Sequence, residues 1–184
     1  MGRPSNREQR RHELLAAFAQ VMADHGYAGA TIAAVASEAG VAPGLVHHHF
    51  ESKAELLHGL LQNLVAGFHQ RVAAFQAQDD PLFAYVDAAL RLDERSDLTA
   101  ARCWVGVFAE AVRDPSLFVQ VRRLVDSEVD SIVKRSGYRL SDQDAGSVLA
   151  FIVGALVLGA FAPRKTAGFA APGLRRLISG LLSR

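Results

Sequence analysis

Three histidines in a row, His47-His48-His49, and the arginines Arg3, Arg7, Arg10 and Arg11 are the residues of this 184-residue chain whose types and spacing invite a chemical reading. Imidazoles ligate metals, move protons or contact phosphate. Consecutive residues of a helix point about 100° apart, so the three rings cannot clasp one ion and no metal site is expected. His58 and Glu55 form an acid–base pair by type, but they fall on a solvated helix. There is no glycine-rich phosphate loop, no metal-ligand cluster and no nucleophile motif around a serine or cysteine. Catalysis and cofactors are therefore not expected. The one cysteine, Cys103, rules out an internal disulfide, suits a reducing compartment and reads as a small buried apolar residue.

What remains is binding. The formal net charge is only +1, so global charge announces no nucleic-acid partner. The local distribution is more telling: the four arginines of the first twelve residues face Glu8 alone, and six of the seven histidines lie in the first third of the chain. Half the residues are hydrophobic and 21% are charged, the profile of an ordinary folded protein. The basic N-terminus lacks the apolar stretch of a signal peptide. The longest apolar run, Val148 to Ala162, is short for a bilayer and reads as a buried helix. A cytoplasmic protein without a membrane partner is expected.

The elements that would position these residues are all helical. Ser5-x-x-Glu8 is a capping box that starts a first helix near residue 6, with Leu14, Phe18, Val21 and Met22 on its inner stripe and Gly26 at its end. Thr31 caps a second helix whose inner face is Ile32, Val35, Ala36 and Ala39, and Gly40 supplies a left-handed stop. Pro43 opens a short third helix to Phe50, with Val46 and Phe50 inward and Leu45, His47 and His48 outward. Ser52-x-x-Glu55 opens a long fourth helix to about Gln76, carrying Leu56, Leu57, Leu60, Leu61, Leu64, Phe68, Val72 and Phe75. After Asp79-Asp80-Pro81, helices are expected at about 82–94, 99–113, 115–136, 142–162 and 172–183. A helix as short as the third is unstable alone and must be held from behind while presenting its outer face. That is the geometry of a helix-turn-helix whose second helix enters the major groove. Periodicity alone leaves a plain helical hairpin equally open.

Residues 27–57 decide between them. Thr31-Ile32, Ala36-x-x-Ala39-Gly40-Val41, Gly44, Phe50 and Ser52-Lys53-x-x-Leu56-Leu57 together resemble the DNA-binding domain of tetracycline-repressor-like (TetR) regulators, a likeness that covers about residues 7–60. It implies an all-α protein of about nine helices. Residues 1–57 would form a three-helix helix-turn-helix domain, joined through the long fourth helix to an effector-binding and dimerisation domain, 58–184. It also implies that Thr31 and Lys53 hold phosphates, that Pro43, Gly44, Leu45, His47 and His48 meet bases and backbone, and that Arg3 and Arg7 reach an adjacent groove. Three positions depart from the pattern. Ala42 replaces a Ser or Thr cap at a cost of about 1 kcal/mol. Leu45 replaces a hydrogen-bonding residue and suits a thymine methyl. His47 and His49 stand where tyrosines are common.

The partners implied are double-stranded DNA with a palindromic operator, a second copy of the chain, and a small, apolar or aromatic effector that releases a repressor. Trp104 and Phe108, one turn apart, with Arg102, Cys103 and Glu110 nearby and Phe68 on the fourth helix, are the expected effector contacts. Ala150/Gly154 and Ala155/Gly159 allow close helix approach. Leu174, Leu177, Ile178, Leu181 and Leu182 line one side of the last helix, so the last two helices of each chain are expected to form a four-helix bundle.

Overall fold

The computed structural model describes residues 6–75, 80–90, 95–166 and 168–183. Among them are nine α-helices: α1 (Asn6–Gly29), α2 (Ile32–Glu38), α3 (Pro43–His49), α4 (Lys53–Phe75), α5 (Pro81–Leu90), α6 (Arg95–Ala111), α7 (Pro115–Arg135), α8 (Asp142–Phe161) and α9 (Ala170–Leu182). A single 3-10 turn, Pro163–Lys165, separates the last two.

The helix ends follow from local chemistry. Gly26 adopts a positive φ of 69° inside α1, and a last turn resumes beyond it to Gly29. The Thr31 hydroxyl accepts from the Ala34 N–H at 3.1 Å, capping α2. Gly40, at φ 66°, lets the Val41 N–H return to the Ala36 carbonyl at 2.9 Å, which closes the turn into α3. Ala42 gives α3 no side-chain cap, as its lack of a hydroxyl requires. Ser52 caps the start of α4 through the Glu55 N–H at 3.1 Å, but the Glu55 carboxylate reaches the Glu51 N–H at 2.7 Å instead of the cap residue's own. The expected box at Ser5 lies outside the described residues. Asp114 caps α7, accepting from Ser116 and Leu117, and Ser141 with Asp144 forms a reciprocal capping box at α8.

The helices enclose two cores. The first joins Leu14 and Phe18 of α1, Val35 of α2, Val46 and Phe50 around α3, and Leu56 and Leu57 of α4 to Cys103 and Val107 of α6 and Leu117 of α7. It therefore crosses the border expected at residue 57: α6 packs directly on α1, and Leu117 of α7 joins the same core. The second core gathers Val72, Leu82, Tyr85, Val86, Ile132, Val148, Ile152, Leu174 and Ile178.

The helix wrapped on nearly all sides is α5, in which Leu82 and every residue from Ala84 to Leu90 are buried. The apolar α8 is not: it is long and apolar enough to cross a membrane, but only 28% of that stretch is buried. Ala145, Val148, Ile152, Ala155 and Gly159 face the core, while Ser147, Ala150, Gly154, Leu158 and Phe161 form an exposed stripe at helical spacing.

Candidate nucleic-acid interface and ligand cavity

On α3 the inner face is Val46, fully buried, and His49, 8% exposed. The outer face presents Pro43, Gly44, His47 and His48 to solvent, with Leu45 half-buried beside them. Arg11 of α1 fixes this helix from behind. Its guanidinium donates to the His49 carbonyl and to Glu55 Oε1 at 3.1 Å, and lies 4.1 Å above the Phe50 ring. A cation at a helix C-terminus also complements the helix dipole. Sequence reading had grouped Arg11 with the basic arm; the contacts show a positioning residue, and partners 38 and 44 residues away left no local signal for it.

Of the other expected contacts, Thr31 sits at the N-terminus of α2 as its cap and Arg7 is exposed on the first turn of α1. Lys53 donates from Nζ to the Tyr27 carbonyl at 2.8 Å and lies 4.1 Å over the Tyr27 ring, which pins the start of α4 to the end of α1. Arg3 lies outside the described residues.

His49 is the titratable weak point of this domain. Burial, then His48 and the arginines Arg7, Arg11 and Arg10, hold its imidazole below the ordinary value, and its Nδ1 is buried without a hydrogen-bond partner. The unfolded chain takes the proton at about 6.5 while the folded one resists it, so the unfolded state binds more protons and stability falls as pH drops below that value. Urea denaturation at pH 7.5 and 5.5 is expected to show a larger acid loss in the wild type than in His49→Tyr. Equal losses would clear His49 of the effect.

The second feature is a cavity of about 70 Å³ between α4, α5, α6, α7 and α8. Phe68, Tyr85, Trp104 and Phe108 give it aromatic walls, Leu124, Ile152 and Leu156 aliphatic ones, and Glu128 and Arg71 its charges. The Phe68 and Tyr85 rings meet edge to face at 5.2 Å, and Trp104 stacks on Phe108 at 5.6 Å. Glu128 is held on both oxygens: Tyr85 donates its hydroxyl to Oε2 at 2.7 Å and His69 Nε2 lies 3.0 Å from Oε1.

Of the six expected effector contacts, Phe68, Trp104 and Phe108 line this cavity; Arg102, Cys103 and Glu110 do not. The division follows the two faces of α6. Cys103 and Val107 pack in the first core. The Cys103 thiol donates to the Ala19 carbonyl at 3.3 Å, and burial together with Asp24 pushes it up to about 12, which leaves it inert. Arg102 faces Asp24 of α1 at 3.7 Å and Glu110 pairs with Arg113 at 3.4 Å. One face of α6 thus grips α1 while the other walls the cavity. Glu128, Tyr85 and His69 were missed as a group. A signal existed for the first: Leu117, Val121, Leu124, Glu128 and Ile132 keep the helical inner spacing, and the glutamate interrupts that stripe.

A three-helix domain with a braced, outward-facing α3, continuous with a helical body around an apolar cavity, has the geometry of a helix-turn-helix fold. The profile described as "Bacterial regulatory proteins, tetR family" matches residues 14–60, the segment that holds α2, α3 and the turn between them. It is 34% identical over 113 residues to the HTH-type transcriptional regulator BetI of Stenotrophomonas maltophilia, an alignment covering 59% of this chain and 57% of that one. The chain thus spans little more than half the length of that relative. The BetI of Burkholderia lata is 28% identical over 85% of this chain and 84% of its own length. Among solved structures, a transcriptional regulator from Rhodococcus sp. superposes with TM-score 0.82 at 24% identity, covering 94% of this chain and 96% of that one. A regulator from Saccharomonospora viridis, solved in complex with choline, superposes with TM-score 0.73 at 22% identity over 94% and 96%. These likenesses support the same fold over nearly the whole chain.

Proposed function

We propose that the chain is a ligand-responsive, DNA-binding transcriptional regulator and not an enzyme, acting in the cytoplasm as a homodimer that a small effector releases from a palindromic operator. The observation that carries this reading is α3: its inner side is pinned by Val46, Phe50 and Arg11, while Pro43, Gly44, His47 and His48 stand free on its outer side. In this reading Pro43, Gly44, Leu45, His47 and His48 meet bases and backbone, Thr31 and Lys53 hold phosphates, and Arg3 and Arg7 reach an adjacent groove. The exposed stripe of α8, with Leu177 on α9, supports burial against a second copy, which sets two recognition helices across a two-fold axis. The DNA-reading unit is residues 1–57 and the effector and dimer unit 58–184, with α6 and α7 as the contact between them.

The cavity is the effector site in this reading, and the choline held by the Saccharomonospora protein supports a small ligand within this fold. At about 70 Å³ it admits only a compact group unless its helices part. Parting them moves α4, which carries Phe68 at one end and the DNA-reading domain at the other. It also moves α6, which is braced on α1 through Cys103 and Arg102. Effector and DNA then weaken each other by the same factor.

The test is selection of bound sequences from random double-stranded DNA at two salt concentrations. The expected product is a palindrome. Its affinity should fall about 10³-fold or more between 50 and 200 mM salt for a dimer making six or more phosphate contacts. No enrichment at either salt would overturn the DNA reading.

A further inference from the structure

We propose that His47 and His48 make the DNA affinity of this chain rise as pH falls, each ring taking up a proton from solvent as it comes against a phosphate; this rests on the reading of α3 as the DNA-contacting helix. Successive residues of a helix point about 100° apart, and the three histidines of α3 divide accordingly. His47 and His48 are exposed on the outer face, whereas His49 is turned inward and buried. Imidazole is the side chain whose charge changes between pH 5 and 8. A phosphate beside it favours the charged form, and the second N–H of that form can donate to a phosphate oxygen.

Nothing in the free chain does this first. Among the described residues neither outer ring forms an ion pair or a hydrogen bond, and the ring contact of His48 is the edge of His49 at 5.1 Å. The helices packed against α3 are α1 and α2. The charges that bear on this end of α3 from α1 are Arg7, Arg10 and Arg11, all cationic. The carboxylates nearby in sequence on these helices and at the start of α4 are Glu8, Glu13, Glu38, Glu51 and Glu55. Glu13 pairs with Arg10 and Glu55 with Arg11, and Lys53 is held on the Tyr27 carbonyl. The anion for the outer rings is therefore left to the DNA. Because the bound form holds more protons than the free one, association strengthens as pH falls, by up to about tenfold per pH unit for each proton taken up. His49 sets the acid limit: it resists the proton in the folded chain, so the gain ends where stability begins to fail.

The test is calorimetric titration of the palindrome recovered by selection, at fixed salt, with circular dichroism at each pH confirming the fold. The wild type is expected to bind at least tenfold more tightly at pH 6.0 than at pH 8.0. At pH 7.0, titrations in phosphate and in Tris, which differ in protonation enthalpy, should show net proton uptake. The salt slope should steepen on acidification by about 0.9 for each added phosphate contact. The double variant His47→Gln with His48→Gln is expected to lose the uptake and the pH dependence. His47→Arg with His48→Arg should bind at pH 8.0 as tightly as the wild type does at pH 6.0. Equal wild-type affinity at the two pH values, or uptake that survives in the glutamine pair, would overturn the proposal. Should the glutamine pair bind too weakly to titrate, the arginine pair decides: uptake that persists without either imidazole overturns the proposal, and its loss supports it. A palindrome bound without proton uptake leaves the DNA reading standing and removes this one alone. No palindrome at all removes both.

Discussion

Phe50→Ala is expected to destabilise the protein by about 3–5 kcal/mol, to lower its melting temperature by about 6–20 °C at the 2–4 °C per kcal/mol typical of this chain length, and to abolish operator binding at ordinary temperature. The ring is 1% exposed and sits where α3 ends. Its N–H closes α3 on the Val46 carbonyl at 2.9 Å, and the Arg11 guanidinium stacks on its face at 4.1 Å. Gly59 of α4 packs beside it: a Cβ there would press on Leu15 at 3.0 Å and meet the Phe50 ring at an ordinary contact distance of 3.7 Å. Removing the ring leaves a cavity under a seven-residue helix that has no side-chain cap and little stability of its own. Calorimetry and operator titration on the same sample separate the causes. A wild-type melt with lost DNA binding would mean that Phe50 serves the interface directly. Leu45→Ala, half-buried on the outer side, is the contrasting control, expected to weaken operator binding with little change in melting.

Which parts of this molecule were legible in the sequence depended on how local their causes are. Thr31 and Ser52 act through bonds to residues three positions on, Gly40 through the turn that returns Val41 to Ala36, and Pro43 through its own fixed backbone angle, and their helix ends fell where their chemistry placed them. The inner stripes of α1 to α4 were readable because one helix face suffices to define them. The links between helices were not readable. Arg11 reaches His49 and Glu55 across the chain, and Glu128 finds His69 and Tyr85 at separations of 59 and 43 residues. Sequence proximity to Trp104 suggested Arg102, Cys103 and Glu110 as cavity residues, but a helix turns neighbours to different sides. Positions 104 and 108 share one face, 103 and 107 another. The apolar run ending at Ala162 read as a buried helix, and the chain itself buries one face of it, because composition does not say which faces of a helix meet other helices of the same chain.

That last distinction sets the other large expectation. The double variant Leu158→Glu with Leu177→Glu should be monomeric in sedimentation and should bind a full palindromic operator about 10²–10⁴-fold more weakly than the wild type, the factor lost when two linked half-site contacts become independent. Leu158 and Leu177 are 59% and 57% exposed, and Phe161 on the same stripe is 78% exposed, values out of keeping with large apolar residues that have no partner surface. Ala150 and Gly154 on that stripe are small enough for a second helix to approach closely, while the buried side of α8, Val148 and Ile152, belongs to the second core and is untouched by the changes. Leu177 stands beside the apolar groove between α8 and α9 formed with Phe151, Leu174 and Leu181. Neither substituted residue belongs to α3 or to the first core, so the folded monomer should keep its melting behaviour apart from the contribution of dimerisation, and its residual DNA binding should follow a single half-site. A variant that stays dimeric would move the two-fold contact elsewhere. One that becomes monomeric yet binds the palindrome as tightly as before would mean that each chain reads DNA alone, and the symmetric operator would then have no structural basis.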